Sequence, residues 1–285
     1  MHCVTGEPLE DIRYAVDDHV ATVTFARPDK LNAFRARTLR EFLDVLDRID
    51  ADDDVRAAIV TGEGRAFCAG ADLSGGAAAF EPTRAAQSAG GEPPRDGGGM
   101  LALRIHALKK PIIAAVNGAS VGMGATMTLP MDVRLASTMA RFSFPFTRRG
   151  IIPEGCSSWF LPRVVGIGTA SDWMLTGRMV DAQEALEAGL VRSLHGAGEV
   201  LPAAHALARE IADNAAPVSA AMTRQLLAHM LHATDPLDAH LAESRGLAER
   251  SRSADAREGV AAFLEKRPAE FPQRVGDGYL DLFGD

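Results

Sequence analysis

The sequence predicts an α/β fold, and three observations support this prediction. Strand-length segments rich in β-branched residues alternate with segments whose apolar residues recur at helical spacing. Of the 285 residues, 47% are apolar, which is enough to bury a sizeable core. From about residue 200 onward the pattern is helical only, so a helical region is expected to follow the mixed one.

The elements follow from local patterns in chain order. The segment HVATVTFARP alternates apolar and polar residues and ends before Pro28, as a strand does. The segment RTLREFLDVLDRIDADD predicts a helix from its apolar spacing, at Leu39, Phe42, Leu43, Leu46 and Ile49. Buried strands are predicted at VRAAIVTGEG, PIIAAVNG and DVRLAS, and a helix at MLALRIHALKKP, which Pro111 ends.

The chain divides by composition into three parts. Residues 1–200 form the predicted core, interrupted at 74–99 by a stretch of Gly, Ala and Pro without any period. We expect a mobile loop there, with room for a short helical piece and with plain disorder as the alternative. Residues 201–271 are predicted to be helical, with Asp181, Asp235 and Ser253 as helix caps in the second half of the chain, and 272–285 to form a loosely attached tail.

Composition also limits the function. A net charge of -8 argues against sequence-independent binding of nucleic acid. The three cysteines, Cys3, Cys68 and Cys156, show neither metal-ligand spacing nor a disulfide framework. Neither a signal region nor an apolar run long enough for a membrane span is visible, so we expect a cytoplasmic protein without metal, nucleic-acid or membrane partners.

Two glycine-rich turns follow predicted strands, GRAFCAGADL at 64–73 and NGASVGMGATM at 117–127. Each offers backbone N–H groups free of bulky side chains, which suits the binding of an oxyanion, although glycine after a strand is often only a turn. The second turn also matches the G-x-S-x-G pattern with Ser120, and Asp181 and His195 follow in hydrolase order. A serine hydrolase therefore remains an alternative of a different class, although an HGGG-type segment is missing.

A lone acid stands in the otherwise uncharged segment GIIPEGCSSW, residues 150–159. Glu154 lies between Pro153 and Gly155, shortly before a helix predicted from about Ser157. Its carboxylate either caps that helix or is the working group of an active site.

Several motifs, in order, resemble the crotonase superfamily of enoyl-CoA hydratases and isomerases over about residues 10–272: RPDKLNAF, GRAFCAGADL, KKPIIAAVNGASVGMG, MDVRLAS, LTGRMVDAQEALEAGLV and GVAAFLEKRPAEF. The resemblance implies a spiral of β-β-α units with a C-terminal helical region, 201–271, that takes part in oligomerisation. It implies homotrimers or dimers of trimers and an acyl-CoA substrate. Coenzyme A is then part of the substrate, and no separate cofactor is expected.

The resemblance also implies the site residues. The backbone N–H groups of Ala71 and Met123 would hold the thioester oxygen, because the enolate formed beside a thioester needs two fixed donors. Substrate and CoA contacts are implied at Lys30, Leu31, Ala33, Ala69, Asp72, Leu73, Gly122, Phe263 and Lys266. The last two match a pair that comes from a neighbouring subunit in some relatives. A solvated surface position is the alternative for Lys30 and Lys266.

The reaction depends on which acids are present. Hydratases of this superfamily use two glutamates, and the matching positions here are Thr126 and Phe146. Glu154 instead matches the single catalytic glutamate of peroxisomal-type Δ3,Δ2-enoyl-CoA isomerases, which implies proton transfer from C2 to C4. An apolar lining is expected to raise the pKa of Glu154 and is predicted at Phe144, Phe146, Ile151, Ile152, Trp159 and Phe160.

Other reactions of the superfamily stay open, namely hydration, dehalogenation and thioester hydrolysis, as does CoA binding without catalysis. Arg148 and Arg149 are interpreted as surface charges, with CoA phosphates or a subunit contact as the alternative. His106 is interpreted as a structural or surface histidine, and the thiols of Cys68 and Cys156 as small buried groups.

Overall fold

The computed structural model describes residues 8–80 and 95–284. Its strands in chain order are β1 (Ile12–Asp17), β2 (Val20–Phe25), β3 (Ala57–Gly62), β4 (Ala66–Cys68), β5 (Ile112–Val116), β6 (Ala119–Val121), β7 (Val133–Ser137), β8 (Arg141–Ser143), β9 (Val180–Asp181) and β10 (Ser193–His195). They form a six-stranded sheet in the order β1-β2-β3-β5-β7-β10 and a four-stranded sheet in the order β4-β6-β8-β9. In each sheet one edge pair of strands is antiparallel, β1–β2 in the six-stranded sheet and β8–β9 in the four-stranded sheet. The other described pairs are parallel.

The helices are α1 (Ala36–Ala51), α2 (Gly97–His106), α3 (Met123–Thr126), α4 (Ser157–Val165), α5 (Ile167–Thr176), α6 (Ala182–Glu187), α7 (Val200–Asn214), α8 (Pro217–Met230), α9 (Pro236–Arg250), α10 (Ala254–Glu265) and α11 (Val275–Gly278). The predicted caps are confirmed, since Asp181, Asp235 and Ser253 each accept a backbone hydrogen bond at the start of α6, α9 and α10. Within the part of the chain that the structure describes, no helix combines the length and apolar character of a membrane span.

The central strands are buried on both faces, which explains their continuous apolar runs. Side chains along β3 alternate between two clusters, with Ala58 and Val60 in the larger core and Ala57 and Ile59 in a smaller one. The smaller cluster is closed by α7, which presents the fully buried alanines Ala204, Ala208 and Ala212. This small-residue stripe lets the helix lie close to the sheet, so the spiral core has a helical layer on its outer face.

The segment predicted as a loop at 74–99 contains two ordered ends. Residues Leu73–Phe80 form 3-10 turns interrupted at Gly76, in line with the expected short helical piece. Helix α2 begins at Gly97, inside the predicted loop, because the Asp96 side chain caps it by accepting from the Gly99 N–H. The rest of the predicted mobile loop, 81–94, lies outside the described residues.

The prediction of a loosely attached tail after residue 271 is wrong. Leu282 is only 1% exposed and packs with Val218 and Met222 of α8. The Phe283 ring stacks on His229 with centroids 3.9 Å apart. Gln225 anchors the same stretch by donating to the Asp281 carboxylate. These contacts bury apolar side chains that are too few to form a visible sequence pattern.

Candidate active site

The two glycine-rich turns meet because their strands β4 and β6 pair in parallel. Gly70 lies where the turns approach most closely. A Cβ atom on Gly70 would stand 2.8 Å from the Val121 carbonyl oxygen, and its φ of 95° also disfavours a side chain. Glycine at this position therefore allows the turns to pack directly on each other, with Ala71 and Met123 on the wall of one cavity.

The backbone N–H groups of Ala71 and Met123 are left unused by the secondary structure. In the parallel bridge beside Ala71, Phe34 donates to the Gly70 carbonyl and accepts from the Asp72 N–H, so the Ala71 N–H points elsewhere. Met123 is the first residue of α3, where an N–H has no intrahelical acceptor. Among the described residues neither N–H has a hydrogen-bond acceptor. Both residues line the cavity, so two backbone donors without an acceptor among the described residues belong to its wall.

The cavity has a volume of about 590 Å³ and a mainly apolar lining. Six predicted site residues line it: Ala71, Asp72, Leu73, Gly122, Met123 and Glu154. Its apolar wall is formed largely by Phe34, Leu39, Val121, Pro145, Phe146 and Ile151. A cavity of this size and character suits an acyl chain.

Glu154 enters this cavity from the loop before α4. Its Oε1 accepts a hydrogen bond of 2.7 Å from the Thr126 hydroxyl of α3. Its Oε2 lies against the backbone of Gly98 in α2, since a Cβ atom on Gly98 would stand 1.4 Å from it. Helix α4 has no side-chain cap, so the alternative interpretation of the Glu154 carboxylate as its cap is wrong.

Burial raises the pKa of Glu154 to about 7. The hydrogen bond from Thr126 opposes this shift, and the negative charge of Asp96 adds to it. A carboxyl group with this pKa can take up and release a proton near neutral pH, as a general base followed by a general acid must do.

Asp96 and Gly98 line the cavity beside Glu154, and sequence reasoning did not place them there. Asp96 lines the cavity, and its Oδ1 accepts from the Gly99 N–H at 2.5 Å and from the Gly155 N–H at 3.4 Å. An aspartate before a helix is a known capping signal, but the glycines that follow it look like loop. Arg35 also lines the cavity and was not predicted there, and Arg149 lines it although a surface charge was the favoured interpretation.

The segment at residues 30–33, which is predicted to contact CoA, lies beside the first glycine-rich turn at 64–73. Ala69 donates its N–H to the Leu31 carbonyl at 3.0 Å. Arg27 joins the two segments, because its guanidinium donates both to the Ala33 carbonyl and to the Asp72 carboxylate. This pairing, with a further contribution from Ser74, lowers the pKa of Asp72 to about 2. Lys30 is exposed in the turn Pro28–Lys30 and does not line the cavity.

Phe263 and Lys266 lie apart from this cavity in the single chain. Phe263 is 81% exposed near the end of α10, and Lys266 follows that helix in a left-handed conformation. Neither belongs to the cavity lining. Their predicted contact with CoA would require a neighbouring subunit and stays a prediction.

The predicted apolar lining is confirmed at Phe146 and Ile151 and wrong at four positions. Phe144 is buried elsewhere and stacks on Trp173. Ile152 is 83% exposed. Trp159 and Phe160 pack against each other and against His106, which confirms the structural role expected for that histidine. Neither of these two rings lines the cavity, although both follow Glu154 closely in the sequence.

The structure also speaks against the serine-hydrolase alternative. Ser120 is fully buried, and its hydroxyl donates to the Gly124 carbonyl at 2.9 Å. His195 contacts Ser193 instead, with 2.8 Å between Nε2 and Oγ, and Asp181 caps α6. The three residues therefore form no triad.

Of the remaining side chains, Arg148 donates to the Thr176 carbonyl, whereas Arg149 lines the cavity. Cys68 is fully buried, as predicted, and burial raises the pKa of its thiol to about 12. Cys156 is only partly buried.

Comparison with known proteins identifies relatives of this chain. Residues 16–274 match the family model described as enoyl-CoA hydratase/isomerase. The chain is 42% identical over 269 residues to the enoyl-CoA hydratase ACTT3 of Alternaria alternata, covering 93% of this chain and 88% of the relative. It is 34% identical over 264 residues to the 1,2-epoxyphenylacetyl-CoA isomerase of Escherichia coli K12, covering 92% and 98%.

Solved structures agree on the fold. The crystal structure of an enoyl-CoA hydratase from Bacillus anthracis superposes with a TM-score of 0.83 at 28% identity, covering 92% of this chain and 99% of that one. The predicted α/β architecture with a C-terminal helical region is therefore confirmed.

Proposed function

The chain belongs to the enoyl-CoA hydratase/isomerase family, and from that premise we propose that it moves a double bond of an acyl-CoA from C3 to C2. The observation that carries this proposal is the environment of Glu154. Its carboxyl group lies between Thr126 and Gly98 in a mainly apolar cavity. Thr126 and Phe146 occupy the positions where the hydratases that the sequence resembles have glutamates.

The reaction needs one base and two donors. The thioester oxygen accepts hydrogen bonds from the N–H groups of Ala71 and Met123, and the Glu154 carboxylate removes a proton from C2. The electron pair of that C–H bond forms the C1=C2 bond of a dienolate, while the carbonyl π pair moves onto the thioester oxygen between the two N–H donors. When the carbonyl re-forms, the C1=C2 pair becomes the C2=C3 bond of the product, and the π pair of the C3=C4 bond binds the proton at C4. The protonated Glu154 then delivers the same proton to C4, so atoms and charge balance.

The apolar wall supports this chemistry in two ways. Phe146 and Ile151 limit the access of water to the intermediate. The proton that Glu154 carries would otherwise exchange with solvent. They also keep the local dielectric low, so the two N–H donors act more strongly on the developing oxygen charge. Neither effect requires a bound water.

Hydration of a 2-enoyl-CoA is a second candidate function, and one observation favours it. Asp96 supplies another carboxyl group to the same cavity, and a pair of carboxyl groups is what positioning and activating water requires. Relatives of this chain also carry the name enoyl-CoA hydratase. The two candidates differ in substrate, so they can be separated directly.

The test compares purified enzyme on 3-enoyl-CoA and on 2-enoyl-CoA. We expect faster conversion of the 3-enoyl substrate, with loss of about 10³-fold in kcat for Glu154→Gln, a typical contribution of a general acid–base group. Glu187→Gln, at an exposed position on α6, is the matched control and should keep its activity. Dominant hydration of 2-enoyl-CoA that survives in Glu154→Gln would contradict the proposal.

We further propose a homotrimer or a dimer of trimers. Exposed apolar side chains on the C-terminal helices support it: Leu227, Leu237, Leu241, Leu247, Phe263 and Leu264. Such residues are costly in a lone chain and typical of an interface. Light scattering should give a mass three or six times the 30.2 kDa of one chain, and a monomer at micromolar concentration would contradict this.

A further inference from the structure

Two carboxyl groups border the same glycine in the cavity. A Cβ atom on Gly98 would stand 1.4 Å from Oε2 of Glu154 and 3.3 Å from Oδ1 of Asp96. The same Asp96 oxygen accepts from the N–H of Gly155, the residue after Glu154, and from the N–H of Gly99 in the first turn of α2. One side chain thus ties the start of α2 to the loop that carries Glu154.

The arginines that line the cavity do not pair with these two carboxyl groups. Arg35, on the same cavity, is bound to Asp11 at 2.7 Å, and Arg149 donates to the Pro145 carbonyl. Within the part of the chain that the structure describes, neither Asp96 nor Glu154 belongs to an ion pair.

Other titratable groups nearby do not compensate for the two negative charges. The thiols of Cys68 and Cys156 stay neutral near pH 7, because burial raises the pKa of both. Thr126 offers a neutral hydroxyl. Among the described residues, Arg95 is a further cation in this neighbourhood, exposed beside Asp96 and without an ion pair to either carboxyl group. Asp96 and Glu154 are therefore neighbours of like charge whenever both are ionised.

We propose that Asp96 is a positioning residue for Glu154: it holds the Glu154 loop against α2 and places its own carboxyl group beside the base. This inference rests on the proposed function, in which Glu154 carries the proton. A neighbouring negative charge disfavours ionisation of Glu154 in the same direction as burial does. The base consequently binds its proton more firmly, which helps it to remove a proton from carbon.

The experiment removes the charge and keeps the hydrogen bonds. Asparagine caps helices about as well as aspartate, so Asp96→Asn retains an acceptor for Gly99 and Gly155. The pKa of Glu154 is measured by NMR in full-length protein with ¹³C-labelled glutamate, where the signal missing from Glu154→Gln gives the assignment. We expect the pKa to fall by about 0.5 to 1 unit in Asp96→Asn. The rising limb of kcat/KM against pH should move to lower pH by the same amount.

Two further variants keep the test decisive. Asp235→Asn changes an aspartate that also caps a helix, by accepting from Leu237 at 2.8 Å, and should leave the pKa of Glu154 unchanged. Asp96→Ser retains a capping oxygen without charge and should lower the pKa as Asp96→Asn does, which covers the case in which one variant does not fold. An unchanged pKa in a folded Asp96 variant overturns the inference.

The NMR measurement does not depend on turnover, so it separates this inference from the proposed function. A lowered pKa in protein that converts no 3-enoyl-CoA would support the inference about Asp96 and count against the isomerase alone. Complete loss of turnover in Asp96→Asn with an unchanged pKa would make Asp96 a catalytic group and overturn its role as a positioning residue.

Discussion

Asp72 and Glu154 line the same cavity, yet their surroundings push their acidities in opposite directions. The Arg27 guanidinium, 2.8 Å from Asp72, lowers the pKa of that carboxyl to about 2. Glu154 has a hydroxyl, a glycine backbone and apolar side chains around it, and burial raises its pKa to about 7. One carboxyl group is thereby fixed as an anion that ties two chain segments together, and the other can exchange a proton.

The difference shows that position in a cavity does not by itself make an acid catalytic. The neighbouring group determines the pKa of the carboxyl group. A cation at hydrogen-bond distance keeps the carboxyl group ionised, whereas desolvation without a cation makes its protonation possible near neutral pH. A carboxyl group therefore ties chain segments together at Asp72, whereas at Glu154 it is able to exchange a proton near neutral pH. Each of the following changes alters one of the two environments.

The largest effect is expected from Gly98→Ala. The added methyl would occupy the place of the Glu154 carboxylate, since its carbon would lie 1.4 Å from Oε2. Displacement of the base by about 1 Å or more should reduce kcat for isomerisation about 10²-fold or more. Gly168→Ala in α5 is the matched control, because a Cβ atom there meets nothing within 4 Å. Equal activity of the two variants would show that the Glu154 carboxylate need not lie where the structure places it.

Arg27→Met should have the next largest effect, this time on stability. Asp72 would keep its charge near pH 7 without its cation, which we expect to cost about 2 kcal/mol in the free energy of unfolding. Because the pKa of Asp72 is lowered in the folded protein, the contribution of this pair is present above pH 4 and declines toward pH 2. Urea unfolding at pH 7 and at pH 3 measures both values.

Arg13→Met serves as the control for that measurement. Arg13 pairs with Glu63 at 2.9 Å, but its side chain is 69% exposed, so the loss should stay below about 0.5 kcal/mol. If both variants lost the same stability, the partial burial of the Arg27–Asp72 pair would not be what makes it strong.

Glu154→Gln should increase stability at neutral and alkaline pH. The pKa of Glu154 is raised in the folded protein, so its stabilising contribution is complete below about pH 4.5 and is lost as the pH rises through 7. The variant should therefore equal the parent near pH 4 and exceed it by about 1 to 2 kcal/mol at pH 8. Thermal or urea unfolding across this range gives the curve, and a difference that does not vary with pH would contradict the raised pKa.

Sequence reasoning predicted the features that local pattern controls. The apolar runs of β3 and β5, the spacing in α1 and the two glycine-rich turns all appear in the structure. Glu154 was identified because it stands alone in an uncharged segment that also matches a family motif. In each case neighbours in the sequence carry the information.

The missed features depend on contacts between distant segments. Gly98 and Asp96 matter because α2 packs against the Glu154 loop, and no local pattern reports that contact. Trp159 was assigned to the wrong environment because sequence proximity to Glu154 does not give the direction of a side chain on α4. The local sequence does not show that the C-terminal stretch is anchored, because the stacking of the Phe283 ring on His229 is a contact between distant segments.

The smallest expected effect comes from Thr126→Val. The Thr126 hydroxyl donates to Oε1 of Glu154 at 2.7 Å and favours the ionised form. Valine has a similar shape without the hydroxyl, so the pKa of Glu154 should rise by about 0.5 to 1 unit. The rising limb of kcat/KM against pH should then move to higher pH, while the plateau at alkaline pH changes little.

Thr128→Val is the matched control, because the hydroxyl of this buried threonine donates to the Ala125 carbonyl. Its pH profile should coincide with that of the parent. Thr126→Val and Asp96→Asn should shift the pKa of Glu154 in opposite directions, since the first removes a group that favours the charge of Glu154 and the second a group that disfavours it. If Thr126→Val and Asp96→Asn shifted the pH profile in the same direction, the group that titrates in the profile would not be Glu154. The contrast in acidity with Asp72 would then have to be drawn with another acid of the cavity.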